Sequence, residues 1–363
     1  ADGRTTALSH ASTNLMMAIG LWDKIAPQAC PILDIRVSDG DAPVFLHYDH
    51  AEIGEAPLGH IVENRHLWNE AYNHVTGLKG VTYLAPATVE SLERDTYRAR
   101  ALFDDGAVRA ALVLGCDGRN SSLREQAGIA VSEWDYGQTA IVLTVAHDEP
   151  HGNIAHERFL PAGPFAILPM PDDEKGRHRS SVVWTERADL APTLLDLPQT
   201  EFAAELARRF GDFLGDLEII GERWSYSLSF LHAQAYTDTR LALVGDAAHA
   251  MHPIAGQGLN MGLRDVAALT EILVEAKSHG QDIGDGSTLA RYARWRRFDN
   301  TALMFVTDAL NRLFSNSFPP IRDLRDIGLA AVNATPKLKR LFMRQAMGLA
   351  GDLPRLLKGV QIR

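Results

Sequence analysis

The sequence predicts an α/β fold: a domain with a parallel sheet, interrupted by a strand-rich insertion and closed by C-terminal helices. Three observations predict it. The apolar run Leu241 to Val244 stops at Gly245-Asp246, a glycine-spaced segment follows, and helical periodicity sets in after Gly262. Earlier, LVLGCDGRNSSLREQAG gives the same order of strand, Asp117-Gly118 turn and serine-capped helix. Between them, from about Thr139 to Ala235, apolar and polar residues alternate with the two-residue period of strands. Two strand-to-helix junctions in one chain fit a ligand held across the ends of a parallel sheet. A length of 363 residues also exceeds what one core usually organises.

Taken in order, ADGRTTALSHAS reads as a turn leading into a helix with no strand before it, and residues 12 to 26 carry helical spacing. IRVSDGDAPVFLHYD reads as two strands around a Gly-Asp turn, and NRHLWNEAYNHV as a helix. Short β segments follow in VTYLAPATVESLE and in YRARALFDDGAVRAALVLGCDG, where Asp105-Gly106 is a hairpin signal and LVLGCDG a buried strand. TAIVLTVAH, ERFL, FAILPM, RSSVVWTE and LEIIGERWSYSLSF are strands, broken by a helix at TEFAAELARRFG. After residue 240 come the strand, the glycine loop and helical sequence to the end. There is no internal repeat and no low-complexity linker, so the strand-rich region is expected to be an insertion.

Composition narrows the function. A formal net charge of -10, with no Lys/Arg run interleaved with aromatics, argues against nucleic acid as a partner. The two cysteines, Cys30 and Cys116, sit apart in apolar contexts and read as packing residues, which excludes a disulfide scaffold or a cysteine-rich zinc site. No apolar stretch reaches the roughly 18 to 20 residues of a membrane span, and no signal peptide opens the chain, so a cytoplasmic protein is expected. The chain starts with Ala1, and this start is expected to lie inside a domain.

The glycine segment carries the chemistry. Gly256, Gly258 and Gly262 let backbone approach a ligand, and the following helix offers unpaired N–H groups and the positive end of its dipole. An anionic or electron-accepting group belongs there. Asp246 would repel a phosphate but can accept hydrogen bonds from the hydroxyls of a ribose or ribityl chain. A flavin meets both demands, the alternative being a turn that merely connects strand and helix. His249 and His252 are three apart, yet nothing in the sequence completes a ligand set, and no metal is expected. Without a Gly-x-Ser-x-Gly elbow or a P-loop, hydrolase and NTPase activities lose their main support.

Together, GDAAHAMHPIAGQGLNMGLRD, LVLGCDGRNSSLRE and DGRTTALS resemble the group A flavoprotein monooxygenases. GHIVEN, RFLPAGPFAILPM and the tail containing FVTDALNRLFSN and IRDLRDIGLA bring the resemblance nearest to the ubiquinone-biosynthesis FAD-dependent hydroxylases, of the 2-polyprenyl-6-methoxyphenol hydroxylase kind, over nearly the whole chain. The resemblance implies a Rossmann-like FAD/NAD(P)-binding domain in three parts (1–36, 59–137 and 236–315), an inserted α+β substrate domain (37–58 and 138–235) and a C-terminal helical region (316–363). Members open with a strand and a Gly-x-Gly-x-x-Gly turn; this βαβ unit, roughly 30 to 45 residues, does not precede Ala1. A chain without that adenosine half-site is expected to bind FAD weakly or not to fold alone.

Further implications of the resemblance can be placed on single residues. Arg4 lies near the flavin phosphates; Asp117 and Gly118 form a motif serving both FAD and NAD(P)H. Gly245 and Asp246 meet the ribityl and pyrophosphate region, and Pro253, Gly256, Gln257, Gly258, Leu259 and Asn260 run beside the ring, with N–H groups of residues 258–260 facing its pyrimidine edge. The implied reaction uses NAD(P)H and O2, through a flavin C4a-hydroperoxide, to hydroxylate the ring of a polyprenylated phenol. It assigns no general base. The same motifs also suit a flavoprotein acting on a soluble aromatic, or a non-catalytic assembly subunit of this fold. Phe165, Ile167, Leu168, Pro169 and Met170 suit the wall of a prenyl-ring pocket or an ordinary core strand. His60 is either a flavin contact or structural. In the tail, Lys337, Lys339, Arg340, Arg344, Arg355, Lys358 and Arg363 alternate with Leu338, Leu341, Phe342, Met347, Leu349, Leu356 and Leu357, which fits a peripheral membrane contact, a contact within a biosynthetic complex, or a helix packed on its own domain.

Overall fold

A computed structural model describes residues 3–40, 45–103, 106–314, 328 and 331–362. Along the chain run β1 (Thr5–Ser9), α1 (His10–Ala18), α2 (Trp22–Ile25), β2 (Cys30–Ile32), β3 (Asp34–Asp39), β4 (Phe45–Asp49), β5 (Gly59–Glu63) and α3 (Asn64–Thr76). Then come β6 (Ser91–Arg94), β7 (Ala99–Phe103), β8 (Gly106–Ala110), β9 (Val113–Gly115), α4 (Ser122–Gln126), β10 (Val131–His147), β11 (Ile154–Leu160), β12 (Gly163–Met170) and β13 (His178–Arg187). The remainder is α5 (Ala191–Leu195), α6 (Gln199–Phe210), β14 (Leu217–Ala233), β15 (Thr237–Asp238), β16 (Leu241–Leu243), β17 (His249–Ala250), α7 (Gly258–Ser278), α8 (Gly286–Phe314) and α9 (Pro336–Ala346).

An eight-stranded sheet in the order β17-β14-β10-β13-β12-β11-β3-β4 dominates the molecule. Its central strands β10 and β14 are long, 17 residues each, because turn residues fall outside their apolar runs. Its pleat gives two faces with different jobs. On the outer face, Ile141, Phe165, Ile167, Val182 and Trp184 pack under Phe202, Leu206 and Phe210 of α6. On the inner face, Ala155, Leu168 and Met170 pack with Ile32, Leu58, Ile61 and the tail residues Met343 and Met347. Further along that face, Leu46 and Phe159 join Ile254 and Phe314.

The dinucleotide side of the fold is built around β9 and β16, which pair in parallel from Leu241↔Val113 to Leu243↔Gly115. Val244 continues the pairing by donating its N–H to the Gly115 carbonyl at 2.9 Å. The two strand-to-helix junctions foreseen in the sequence therefore lie side by side.

Several local expectations are corrected. TTALS is a strand, β1, and not part of a turn: it pairs antiparallel with β5, Thr5↔Glu63 to Ser9↔Gly59. Residues 12 to 26 form two helices, separated where Gly20 takes φ +73°. Residues 81 to 90 hold no strand, only Ser91–Arg94 does. The Asp105-Gly106 hairpin forms between β7 and β8, Asp105 itself lying outside the described residues. Leu114 is 44% exposed and Cys116 is exposed, so LVLGCDG is not a buried strand and only Cys30 packs inside. Helix α7 starts at Gly258, four residues before the expected point. Gly262 is thus helical, and its backbone runs close to Gly245, where a Cβ would come into van der Waals contact with the Gly245 Cα at 3.4 Å.

The tail is docked. Leu356 and Leu357 are buried with Leu8, Leu15 and Ile25 of the β1–α1 region, and the Ala11 N–H donates to the Met347 carbonyl at 3.0 Å. Among the described residues no helix is long and apolar enough to cross a membrane.

The β1–β5 pairing leaves no room at Gly59, where a Cβ would overlap the Leu8 carbonyl oxygen. Gly59→Ala is expected to push the two strands apart and cost roughly 1–3 kcal/mol, read as a lower urea midpoint in equilibrium unfolding.

Candidate flavin site

The loop from Gly245 to Asn260 joins β16 to α7 and presents opposite chemistries at its two ends. At its start, Asp246 keeps solvent-accessible surface and has no hydrogen-bond or ion-pair partner among the described residues. Burial by surrounding protein raises its pKa, and His249 and Arg119 pull the other way. It is an acceptor awaiting donors. At its end, α7 begins with the N–H groups of Gly258, Leu259 and Asn260. The first helical bond in this turn runs from the Met261 N–H to the Gln257 carbonyl at 3.0 Å, so the three amides before it lack backbone acceptors among the described residues. A Cβ at Gly258 would meet nothing within 4 Å, so open space lies beside that turn. A 21-residue helix places the full positive end of its dipole there.

The loop owes its shape to two buried anchors. The Asn260 side chain accepts from the Ser9 N–H (2.9 Å) and the Ser12 hydroxyl (2.7 Å) and donates to the carbonyls of Ala7 (2.8 Å) and Gly256 (3.0 Å). Asn260 therefore ties the loop to β1 and to the N-cap of α1, leaving only its backbone N–H for a ligand. Gly256 has φ +60°, and a Cβ on it would press on the Ala7 methyl at 3.0 Å.

Asp265, which the sequence reading passed over, is the second anchor. Wholly buried, it accepts at Oδ2 from the Gly245 N–H (3.1 Å) and His249 Nε2 (2.5 Å), and at Oδ1 from Arg296 Nε (2.8 Å) and Asn300 Nδ2 (3.1 Å). Burial alone would raise its pKa; the charges and hydrogen bonds of His249 and Arg296 outweigh that and hold it at about 2. The sequence signal was its place in GLRD, at the end of the glycine segment, one residue after Arg264.

Other expected residues are placed as follows. Asp117 accepts from the Ser121 hydroxyl (2.6 Å) and the Leu123 N–H (3.1 Å), so it caps α4; Gly118 beside it has φ +79°. The two junctions are tied together by Arg124, whose Nη1 donates to the Arg119 (2.9 Å) and Ala247 (3.0 Å) carbonyls. Arg4 lies over the Tyr226 ring, 5.9 Å from its centre. His60 is packed edge-on to Trp22 and 3.3 Å from the Thr13 hydroxyl, and burial with His10 nearby lowers its pKa to about 4. His249 and His252 diverge: the first meets Asp265, the second meets Gln138 at 3.2 Å. The five apolar residues of β12 do not share a face, since Phe165 and Ile167 lie in the core under α6 while Leu168 and Met170 face inward.

Among the described residues, an exposed carboxylate without a protein partner at one end of the loop and amides without backbone acceptors at the other can take a ligand with donor hydroxyls and an electron-accepting ring. A model of the FAD binding domain family matches residues 1–303. The chain belongs to this family. Its sequence is 52% identical over 365 residues to a protein of Rhodospirillum rubrum named ubiquinone hydroxylase UbiL, covering 99% of this chain and 84% of that one. It is 34% identical over 350 residues to 3-demethoxyubiquinol 3-hydroxylase of Escherichia coli, covering 96% and 88%. In structure it is similar to p-nitrophenol 4-monooxygenase PnpA of Pseudomonas putida, with a TM-score of 0.77 at 21% identity over 96% of this chain and 89% of that one, a likeness of fold.

Replacing Asp265 by Asn leaves Arg296 without its buried counter-charge and is expected to destabilise the chain by roughly 3–5 kcal/mol, measured by urea unfolding at neutral pH. The sign with pH follows from the depressed pKa: this carboxylate's contribution is complete above the unfolded value near 4 and is lost as pH falls toward about 2. Wild type should lose stability across that window more steeply than the Asn variant.

Proposed function

We propose that this chain is an FAD-dependent hydroxylase of ubiquinone biosynthesis, adding a hydroxyl group to the aromatic ring of a polyprenylated phenol with NAD(P)H and O2. The observation that carries the proposal is the likeness to a ubiquinone hydroxylase over 99% of the chain, with the unpartnered carboxylate and amides supplying a place for the flavin.

FAD supplies the electron carriage and oxygen chemistry that no protein side chain provides. The chain's own residues do the rest. Asp246 would accept hydrogen bonds from hydroxyls of the bound cofactor, and the amides of Gly258, Leu259 and Asn260 would stabilise negative charge on its ring, a preorganised response that costs no reorganisation. Asp117, Gly118 and Arg4 are proposed to complete the cofactor site, with residues 1–36, 59–137 and 236–315 as its scaffold. Substrate is proposed to lie against the inner face of the large sheet, where Leu168 and Met170 are the members of the β12 run available to it. Apolar side chains there keep water away from the reacting atoms.

Access to a greasy substrate is proposed to involve the outer side of α9. Leu341 is 57% exposed and Phe342 39%, beside Lys337, Arg340 and Arg344, while Met343 is buried and Lys339 pairs with Glu52 at 2.5 Å. Apolar side chains flanked by cations fit an anionic lipid surface.

Two measurements follow. FAD-bound protein given NADH or NADPH and a short-chain prenylphenol in air should yield hydroxylated product by mass spectrometry, and Asp246→Ala should weaken FAD binding about tenfold or more; absence of product with either reductant would sink the proposal. For the lipid surface, replacing Leu341 and Phe342 together by Ser should reduce co-sedimentation with phosphatidylglycerol vesicles while leaving the unfolding temperature unchanged.

A further inference from the structure

Glu157 stands at the centre of β11, opposite Ala166 of β12 and Val37 of β3. Strand alternation puts it on the same face as Ala155 and Phe159, and those two belong to the inner-face clusters that contain Met170 on one side and the flavin-loop residue Ile254 on the other. A carboxyl group therefore occupies the seam between two apolar clusters, on the side of the sheet that faces the candidate flavin loop.

The fold makes no use of it. The half-buried Glu157 side chain makes no hydrogen bond and no ion pair among the described residues. Its cationic neighbours point away: Arg158 donates to the Arg209 carbonyl at 2.6 Å under α6, and Arg36, in register with His156, lies over the Phe45 ring at 5.8 Å. Burial raises its pKa to about 7. A carboxyl among apolar side chains lowers stability unless something returns the cost. Among the described residues no group does so, and only the part of Glu157 that stays exposed meets water.

Two more buried polar atoms, on this face and in the flavin loop, lack partners among the described residues. Thr185 shares the inner face, opposite Ala140, is 1% exposed, and its hydroxyl has no hydrogen-bond partner. His252, fully buried, precedes the loop residue Pro253. Gln138 donates its amide to the Ala162 carbonyl at 2.7 Å, so its oxygen faces His252 Nε2, which must then carry the proton; His252 Nδ1 is left as a bare acceptor without a partner. Apolar walls carrying a few unpartnered polar atoms suit a mostly apolar ligand with one polar substituent.

We infer that Glu157 is the residue that recognises the substrate's phenolic hydroxyl, its carboxylate accepting that O–H and so fixing which ring edge is presented to the flavin loop. The inference rests on the hydroxylase reading and deepens it. As the ring gives up electron density to oxygen, the phenolic O–H bond breaks, the proton passes to a Glu157 oxygen and the bonding pair stays on the phenol oxygen. A carboxylate raised toward neutrality is a nearer match to a phenol, whose ordinary value is about 10, than an unperturbed one would be.

The test uses FAD-bound protein titrated with 2-prenylphenol and with its O-methyl ether, binding being followed by perturbation of the flavin absorption spectrum. Wild type should prefer the phenol about tenfold or more. Glu157→Gln and Glu157→Leu should bring the ratio close to one, bind the ether as wild type does, and unfold at an equal or higher temperature. Retention of the wild-type ratio in either variant overturns the inference while leaving the hydroxylase reading intact. Loss of ether binding together with a lower unfolding temperature also overturns it, since Glu157 would then be a structural residue. A wild type that binds neither compound and forms no product removes the hydroxylase reading and the inference together.

Discussion

The buried contact on which the rest of the molecule depends is the one made by Asp265. A single carboxylate receives the Gly245 N–H at the end of β16, His249 of β17, and Arg296 and Asn300 of α8. Strand, loop and two helices converge on four lone-pair directions. An isolated charge in that place would be untenable; with two cationic or proton-bearing partners and an N–H it becomes a fixed origin. The position of Asp246, one residue after Gly245, is set by it, and so is the start of the loop. Asn260 then fixes the loop's other end against β1. The candidate site lies between two satisfied polar anchors, and its own groups are left unsatisfied.

Much of the fold was legible in the sequence because its signals are local. Alternation marked every long strand of the large sheet, and the two Gly/Asp turns marked the junctions that prove to be parallel neighbours. What escaped was decided by contacts distant in sequence. TTALS looks like a lead-in to a helix until β5, more than fifty positions later, supplies its partner. Gly262 looks like a loop residue because glycine is a poor helix former, yet it is helical, where α7 runs close to the backbone at Gly245.

The site was legible in part for the same reason. Residue types at the glycine loop suggested a flavin, and the helix after it does begin with amides, residues 258–260, that have no backbone acceptor among the described residues. The side-chain role of Asn260, four hydrogen bonds to a distant strand and helix, has no sequence signature. Asp265 and Arg296 are ordinary helix residues until their 31-position separation is closed in space. The FAILPM run misled in a different way: composition offered five candidate wall residues, and the pleat assigns them to opposite faces. Glu157 was invisible because an acidic residue in a strand is unremarkable until its surroundings prove apolar.

Strand β1 has a mechanical consequence. Near its start, the Thr5 hydroxyl donates to the Ser181 hydroxyl at 2.9 Å on the large sheet, and Gly3 abuts the Trp224 indole; at its far end, Ala7 and Ser9 are bonded to Asn260. Five extended residues, about 17 Å long, therefore brace the large sheet against the 256–260 end of the loop, whose beginning is already stitched to that sheet through β17. The bend of the loop is thereby held by backbone at both ends, so variation in what it faces is left to side chains.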